Sequence, residues 1–122
     1  MIILGIDPGI ATTGWGVIRI DRQKPVFLGV GVITTPPHTA LAERLETLHK
    51  DLKELFEKFK PNSVVLEDLF FNANAKTALI VGQARGVVLL TAQLYKTDIF
   101  AYTPQQVKMG VTGYGRADKK QV

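Results

Sequence analysis

Two short apolar runs that each end in a carboxylate constrain the fold more than any other feature of the sequence. Residues 2–6 lead directly into Asp7, and a tight Pro8-Gly9 turn follows. Residues 63–66 lead in the same way into Glu67. If the two runs form neighbouring parallel strands, their acids meet at one edge of a sheet. Two hard oxygen ligands at such an edge favour a divalent metal such as Mg²⁺ or Mn²⁺.

The pattern along the chain predicts an α/β domain. The predicted strands cover residues 2–7, 14–20, 26–34, 63–67 and 98–102. Leucine and phenylalanine recur at helical spacing over about residues 40–59, with Thr39 as the predicted N-cap, and a second long helix is predicted over 75–95. Further helices are predicted after Pro104 and from Arg116. Residues 21–25 predict a hairpin turn, and a right-handed crossover then lays strand 63–67 parallel to strand 2–7.

The second long helix carries small residues on one face. Ala78, Gly82 and Gly86 recur at every fourth position. Glycine inside a helix costs about 1 kcal/mol relative to alanine, so its use indicates close approach by another element. The sheet, another helix or a partner subunit could supply that element, and packing on the sheet is the favoured interpretation.

Composition predicts one folded domain with no membrane partner. The chain has 122 residues, 46% hydrophobic and 21% charged, which is typical of a globular domain. The apolar run 86–90 is far too short to cross a bilayer, and the first residues lack the pattern of a secretion signal. The chain has no cysteine, which excludes disulfides and thiolate metal sites and fits a cytoplasmic location.

Positive charge is concentrated toward the end of the sequence. The net charge is +4, and residues 96–122 carry five lysines or arginines against two aspartates. A basic segment beside an acidic, metal-binding edge suits an enzyme that processes a polyanion. Charge alone slightly favours an ordinary solvated surface, because +4 is a modest excess.

Asp7, Gly9 and Gly14 also fit the spacing D-x-G-x-x-x-x-G. This short pattern resembles the first phosphate loop of the actin, chaperone and sugar-kinase ATPases. Those proteins bind nucleotide between two such domains, which 122 residues cannot supply. An actin-like ATPase lobe is therefore the least favoured of the alternatives.

Several blocks spread over the whole chain match one family. They are residues 3–9, 13–18, 67–71, 82–86, 106–108 and 113–122, with Asn74, Ala78 and Leu79 between them. The chain thereby resembles the RuvC family, the bacterial Holliday-junction resolvases of the RNase H-like superfamily. The resemblance implies a five-stranded mixed sheet flanked by helices, forming a single RNase H-like nuclease domain over residues 1–122.

The resemblance implies that Asp7 and Glu67 are catalytic and metal-binding residues. They match the first and second acids of the family's active site, with Mg²⁺ as the expected cofactor and Mn²⁺ as a substitute. Bound metal would activate a water for attack on phosphorus and stabilise the departing 3′-oxygen. The alternative is that Asp7 only forms a turn and Glu67 is an ordinary acid at the end of a strand.

The resemblance also implies DNA contacts. Phe70 matches an aromatic that stacks on bases near the crossover, and core packing is expected for one of Phe70 and Phe71. Lys108 and Lys119 match basic residues used near the scissile phosphate or along the DNA. Arg85 could donate to a phosphate or could equally form a structural ion pair.

The family implies a homodimer that binds four-way junction DNA, nicks two strands symmetrically and works with RuvA and RuvB. Family members continue into a helix that carries two more acids, whereas this sequence ends at Val122. Asp68 and Asp118 do not match those two positions. We therefore expect a C-terminally truncated chain that cleaves poorly or not at all. A module that binds junction DNA without cutting it is the alternative.

Overall fold

A computed structural model describes residues 1–67 and 75–102 of the chain. The strands are β1 (Ile2–Asp7), β2 (Thr12–Asp21), β3 (Lys24–Thr34), β4 (Ser63–Glu67) and β5 (Asp98–Tyr102), and the helices are α1 (Leu41–Phe59) and α2 (Ala75–Leu94). Each of these elements was predicted, with ends that differ by at most two residues. The helices predicted after Pro104 and from Arg116 lie outside the described residues.

The five strands form one mixed sheet in the order β3-β2-β1-β4-β5. β1 pairs antiparallel with β2 and parallel with β4, and β4 pairs parallel with β5. Each parallel connection passes through a helix, as parallel neighbours require. The prediction of a five-stranded mixed sheet with flanking helices is confirmed.

The hairpin between β2 and β3 has a two-residue turn. Arg22 and Gln23 have positive φ values of 51° and 67°. Positive φ at both central residues is the requirement of a type I′ turn, whose twist matches the strands that it joins. The register shifts between Val17 and Ile18, which marks a bulge in the hairpin.

Both helices contribute to a single core on one face of the sheet. α1 buries Leu48, Leu52 and Phe56, and α2 buries Ala84, Val88, Thr91 and Ala92. The sheet contributes the alternate residues whose side chains share one face: Leu4, Ile6, Val17, Val64 and Leu66. This arrangement leaves the intervening side chains of β1 and β4, including Asp7 and Glu67, on the other face.

The beginning of α1 differs from the prediction. Its N-cap is Ala40, which makes no side-chain cap hydrogen bond, so the prediction of Thr39 as N-cap is wrong. The Thr39 hydroxyl instead donates backward to the Pro36 carbonyl oxygen at 2.8 Å. At the other end, Lys60 adopts the left-handed conformation and donates its amide to the Phe56 carbonyl oxygen at 2.9 Å, directly before Pro61.

The exposed side of α2 is apolar. Gly86 is exposed, so the expectation that this small-residue face packs on the sheet is wrong at Gly86. Leu79, Leu90 and Leu94 lie on the same side and are 64%, 56% and 63% exposed. By length and composition α2 could span a membrane, a test that core helices of soluble proteins also pass. The absence of a membrane partner stays a prediction.

Candidate active site

Asp7 and Glu67 end two neighbouring parallel strands at the same edge of the sheet. The β1–β4 register pairs Ile3 with Ser63 and Ile6 with Leu66, so Asp7 and Glu67 are the next residue on each strand. Neighbouring strands lie about 4.8 Å apart, so the two residues are direct neighbours on one face of the sheet. The prediction that these two strands are parallel neighbours is confirmed.

The two acids belong to a row of residues that crosses the whole sheet. β3, β2, β1, β4 and β5 contribute Val32, Gly14, Asp7, Glu67 and Tyr102 in that order. Residues aligned in this way share a face, and it is the face opposite the core. Asp7 is exposed and Glu67 is half-buried.

The chain turns sharply after Asp7, as predicted. Pro8 is buried, and a Cβ at Gly9 would lie 2.3 Å from the carbonyl oxygen of Thr12. No side chain larger than glycine fits this turn without a shift in the backbone. The turn therefore stops β1 at Asp7 and keeps the carboxylate at the tip of the strand.

The buried hydroxyl of Thr13 also holds this turn. It accepts the Gly9 amide at 3.2 Å and donates to the Gly9 carbonyl oxygen at 2.7 Å. Thr13 is 1% exposed, so its hydrogen bonds to Gly9 satisfy a polar group that cannot reach water.

Most of the other predicted site residues cannot be compared with the carboxylate positions. Phe70, Phe71, Lys108 and Lys119 lie outside the described residues. Arg85 is half-buried and lies near the middle of α2. In the two described ranges, no group of three or more acids or histidines is placed to hold a metal.

Two residues of the site were missed by sequence reasoning. Tyr102 pairs with Glu67 across β4 and β5, and Thr35 follows β3 at the same edge. The signal for Tyr102 was available, because it is the last residue of the predicted fifth strand. Thr35 carried no comparable signal, because its partners are distant in sequence.

A cavity lies at the opposite end of the sheet, away from the carboxylates. It has a volume of about 320 Å³ and is lined by Phe56, Glu57, Lys60, Pro61 and Tyr95. The Tyr95 hydroxyl donates to Glu57 Oε1 at 2.9 Å. Desolvation, followed by this hydrogen bond to the carboxylate, raises the pKa of the Tyr95 phenol. The location excludes this cavity from the chemistry at Asp7 and Glu67.

The sheet order, the crossovers and the carboxylates at the tips of the two central strands define an RNase H-like domain. A sequence model of the family described as "Crossover junction endodeoxyribonuclease RuvC" matches residues 3–122. The chain belongs to the RuvC family of crossover junction endodeoxyribonucleases.

Individual relatives agree with this assignment. The "Crossover junction endodeoxyribonuclease RuvC" of Alkaliphilus oremlandii is 52% identical over 100% of this chain and 74% of its own length. The protein of the same name from Rubrobacter xylanophilus is 50% identical over 99% of this chain and 68% of its own length. The structure described as "T. thermophilus RuvC in complex with Holliday junction substrate" superimposes with a TM-score of 0.92 at 36% identity, covering 100% of this chain and 74% of that one.

Proposed function

We propose that this chain is the nuclease domain of a structure-specific endonuclease that resolves Holliday junctions. The observation that carries the proposal is the placement of Asp7 and Glu67 at adjacent positions on neighbouring parallel strands. The Thermus relative whose structure includes a Holliday junction substrate has the same fold over the whole of this chain. The substrate would be four-way junction DNA, and the reaction would be symmetric hydrolysis of one phosphodiester in each of two strands.

Asp7 and Glu67 would hold divalent metal, with Mg²⁺ as the expected ion and Mn²⁺ as a substitute. The donor set fits, because Mg²⁺ is commonly held by one or two carboxylates, and waters and substrate phosphate complete its coordination. When bound, the metal would supply an activated water and neutralise charge on the leaving oxygen. The role of the two carboxylates is to fix the ion at the exposed edge of the sheet, where a DNA backbone can approach.

The DNA contacts would come from aromatic and basic side chains. We assign stacking on unpaired bases to Phe70, with core packing as the alternative for Phe71, because base–aromatic stacking contributes about 1–3 kcal/mol without sequence preference. Lys108, Lys119 and Arg85 would bind phosphates, so junction affinity should fall with rising salt. These roles rest on the resemblance of the surrounding motifs to the RuvC family.

A homodimer would form through the exposed apolar side of α2. Five exposed residues follow helical spacing along one stripe of α2: Leu79, Gln83, Gly86, Leu90 and Leu94. Exposed apolar stripes of this length mark interaction surfaces, and Gly86 permits close approach of a second helix. A dimer would present two carboxylate sites, as symmetric nicking of two strands requires.

The cellular setting follows from the same assignment. We place the protein in the cytoplasm, consistent with a chain that has no cysteine. RuvA and RuvB are proposed partners through family membership, and we assign no contact surface to them.

Metal binding tests the site directly. The ¹⁵N-labelled 122-residue chain would be titrated with Mn²⁺, which broadens the signals of nearby amides. We expect broadening at the amides of Asp7, Gly14 and Glu67. This broadening should disappear in Asp7→Asn and Glu67→Gln. Asp21→Asn is the matched control, because Asp21 ends β2, which runs antiparallel to β1 and therefore terminates at the opposite edge. Broadening that persists in Asp7→Asn would overturn the site.

Binding and cleavage assays test the substrate. We expect this chain to shift a synthetic four-way junction at lower concentration than linear duplex of the same length. We also expect Mg²⁺-dependent nicking by the chain itself to be weak, because the described residues supply only two carboxylates. Equal affinity for junction and duplex would count against recognition of the junction, and robust nicking would contradict the expectation of weak cleavage.

A module that binds junction DNA without cutting it is the second candidate function. The observation in its favour is the same pair of carboxylates, with no third acid or histidine beside them in the described part of the chain. The two candidates differ in the Mn²⁺ titration, since a module that only binds DNA needs no metal at Asp7.

A further inference from the structure

We infer that Arg44 of α1 is a positioning residue for the turn that follows Asp7, acting through the hydroxyl of Thr35. The inference rests on the proposed function, because it assigns this pair a role in holding the metal-binding carboxylate. Both residues lie at the carboxyl edge of the sheet: Thr35 directly follows β3, and Arg44 is in the first turns of α1.

Thr35 holds the turn by two hydrogen bonds. Its hydroxyl donates to the Ile10 carbonyl oxygen at 2.5 Å, and its amide donates to the Ala11 carbonyl oxygen at 3.1 Å. Thr35 is 6% exposed, so its hydroxyl has little access to water as a competing partner. A shift of the turn would leave a buried polar group without a partner, which is costly.

Arg44 sets the direction of the hydroxyl bond. Its Nε lies 2.9 Å from Thr35 Oγ1. A guanidinium has only donors, so the threonine oxygen must accept from Arg44 and its single proton must go to Ile10. A charged donor also strengthens this hydrogen bond relative to a neutral one. Arg44 thus polarises and orients the contact that restrains Ile10.

The turn is held from both sides by this arrangement. Thr13 bonds both the amide and the carbonyl of Gly9, while Thr35 bonds the carbonyls of Ile10 and Ala11. Three consecutive residues are therefore tied to two buried threonines, two residues after Asp7. The Thr35 side is connected to α1 by the charged side chain of Arg44. We conclude that α1 controls the position of the strand tip through Arg44.

Paired variants in the 122-residue chain test the inference. Thr35→Val removes the hydroxyl at nearly constant shape, and Thr35→Ser retains it. Arg44→Met removes the donor, and Arg44→Lys retains a positive donor. The matched controls are Thr47→Val, whose hydroxyl donates to the Glu43 carbonyl oxygen within α1, and Arg19→Met at an exposed position of β2. Unfolding in urea would be measured for every variant.

The readout is Mn²⁺ affinity from amide broadening. Loss of a residue that orients a metal ligand typically lowers metal affinity by 10-fold to 100-fold, and we expect about 10-fold for Thr35→Val and Arg44→Met. Thr35→Ser should restore wild-type affinity, Arg44→Lys should restore part of it, and both controls should bind as wild type does. Wild-type affinity in Thr35→Val and Arg44→Met, with binding lost in Asp7→Asn, would overturn the inference and leave the proposed function intact.

A metal-free measurement separates the two proposals. The amide of Thr35 donates to Ala11, so its hydrogen exchange reports opening of the turn. We expect faster exchange of this amide in Arg44→Met than in wild type and in Arg19→Met. Failure of the wild-type chain to bind Mn²⁺, together with this faster exchange, would reject the metal site while the structural link between Arg44 and the turn stands. Unchanged exchange would reject the link itself.

Discussion

Asp7 and Gly14 are paired across β1 and β2, and among the described residues no atom outside the immediate neighbours of Gly14 lies within 4 Å of where its Cβ would stand. The φ angle of Gly14 is not in the left-handed region, so neither packing nor conformation within the described structure requires glycine here. Glycine inside a strand often marks a place where a ligand approaches closely. We interpret the missing side chain at Gly14 as the space through which substrate reaches Asp7.

Gly14→Ala should therefore leave the fold intact and weaken DNA binding. The free energy of unfolding should stay unchanged or rise by up to about 1 kcal/mol, because alanine restricts the unfolded chain. Affinity for a synthetic junction should fall, because the methyl group occupies the space beside Asp7. Urea unfolding and a gel-shift titration measure the two effects. Unchanged junction affinity would contradict the interpretation.

Gly31 provides a matched comparison on the opposite face. A Cβ at Gly31 would lie 2.8 Å from Cζ2 of Trp15, whose ring packs against Phe59 at a centroid distance of 5.8 Å. Gly31→Ala should lower the free energy of unfolding by about 1–3 kcal/mol, because the core must shift to admit it. Equal free energies of unfolding for Gly31→Ala and Gly14→Ala would show that the close packing at Gly31 does not make it less tolerant of a side chain than Gly14.

Periodicity and strand connectivity were sufficient to predict that Asp7 and Glu67 end neighbouring parallel strands. The leucine spacing of α1 and the apolar runs of β1 and β4 are local patterns that a single sequence displays. The chain leaves β1 through the β2–β3 hairpin and returns through α1, so β4 lies parallel to β1 and Asp7 and Glu67 come to one edge. The structure confirmed this step because it depends on topology and not on side-chain detail.

The features that sequence reasoning missed depend on competition between partners. Thr39 has the right residue type for an N-cap, yet its hydroxyl donates to the Pro36 carbonyl oxygen. No periodic pattern in the sequence predicts which of the two partners the hydroxyl takes. Gly86 repeats with Ala78 and Gly82, yet the buried side of α2 is set by where Val88 meets the sheet core. The bond from Thr35 to Ile10 joins residues 25 positions apart, for which one sequence carries no signal.

The raised pKa of the Tyr95 phenol predicts a loss of folding stability at alkaline pH. Its pKa is raised above the ordinary value of 10.0, first by desolvation and then by the hydrogen bond to Glu57. A raised pKa means that the folded state holds the proton more tightly than the unfolded state. The contribution is fully present below pH 10 and is lost as pH rises through the folded-state pKa. Urea unfolding at pH 8 and pH 11 should show a larger loss for wild type than for Tyr95→Phe.

Glu57→Gln is the control for that measurement. It removes the carboxylate charge and retains an acceptor for the Tyr95 hydroxyl, so the pKa of Tyr95 should move back toward its ordinary value. Spectrophotometric titration of the phenol would detect the change. Identical titration curves in wild type and Glu57→Gln would show that the 2.9 Å contact does not contribute to the raised pKa.

The exposed side of α2 predicts the oligomeric state. Leu90 lies in the middle of the stripe from Leu79 to Leu94 and is 56% exposed. Leu90→Glu should convert the proposed dimer into a monomer, because a charge at the centre of an apolar interface is not compensated. Leu41→Glu makes the same chemical change on α1, where Leu41 is 37% exposed, and should leave the dimer intact. Sedimentation equilibrium measures the mass, and a wild-type monomer would reject the interface.

A buried threonine joins the two helices and predicts a specific energetic coupling. Thr91 is fully buried, and its hydroxyl donates to the Val87 carbonyl oxygen at 2.8 Å. His49 Nδ1 lies 2.9 Å from Thr91 Oγ1. Because the hydroxyl proton is committed to Val87, His49 must donate from Nδ1.

Thr91→Val should lower the free energy of unfolding by about 1–3 kcal/mol, since it leaves the Nδ1 donor of His49 without its partner. Thr91→Ser should retain most of that stability. In the His49→Leu background, Thr91→Val should lower the free energy of unfolding by less, because the His49 donor that would lose its partner is already absent. Long-range ¹H–¹⁵N spectra of the His49 ring should place the proton on Nδ1 in wild type. A proton found on Nε2 alone, together with equal costs in the two backgrounds, would show that the ring is not held by Thr91.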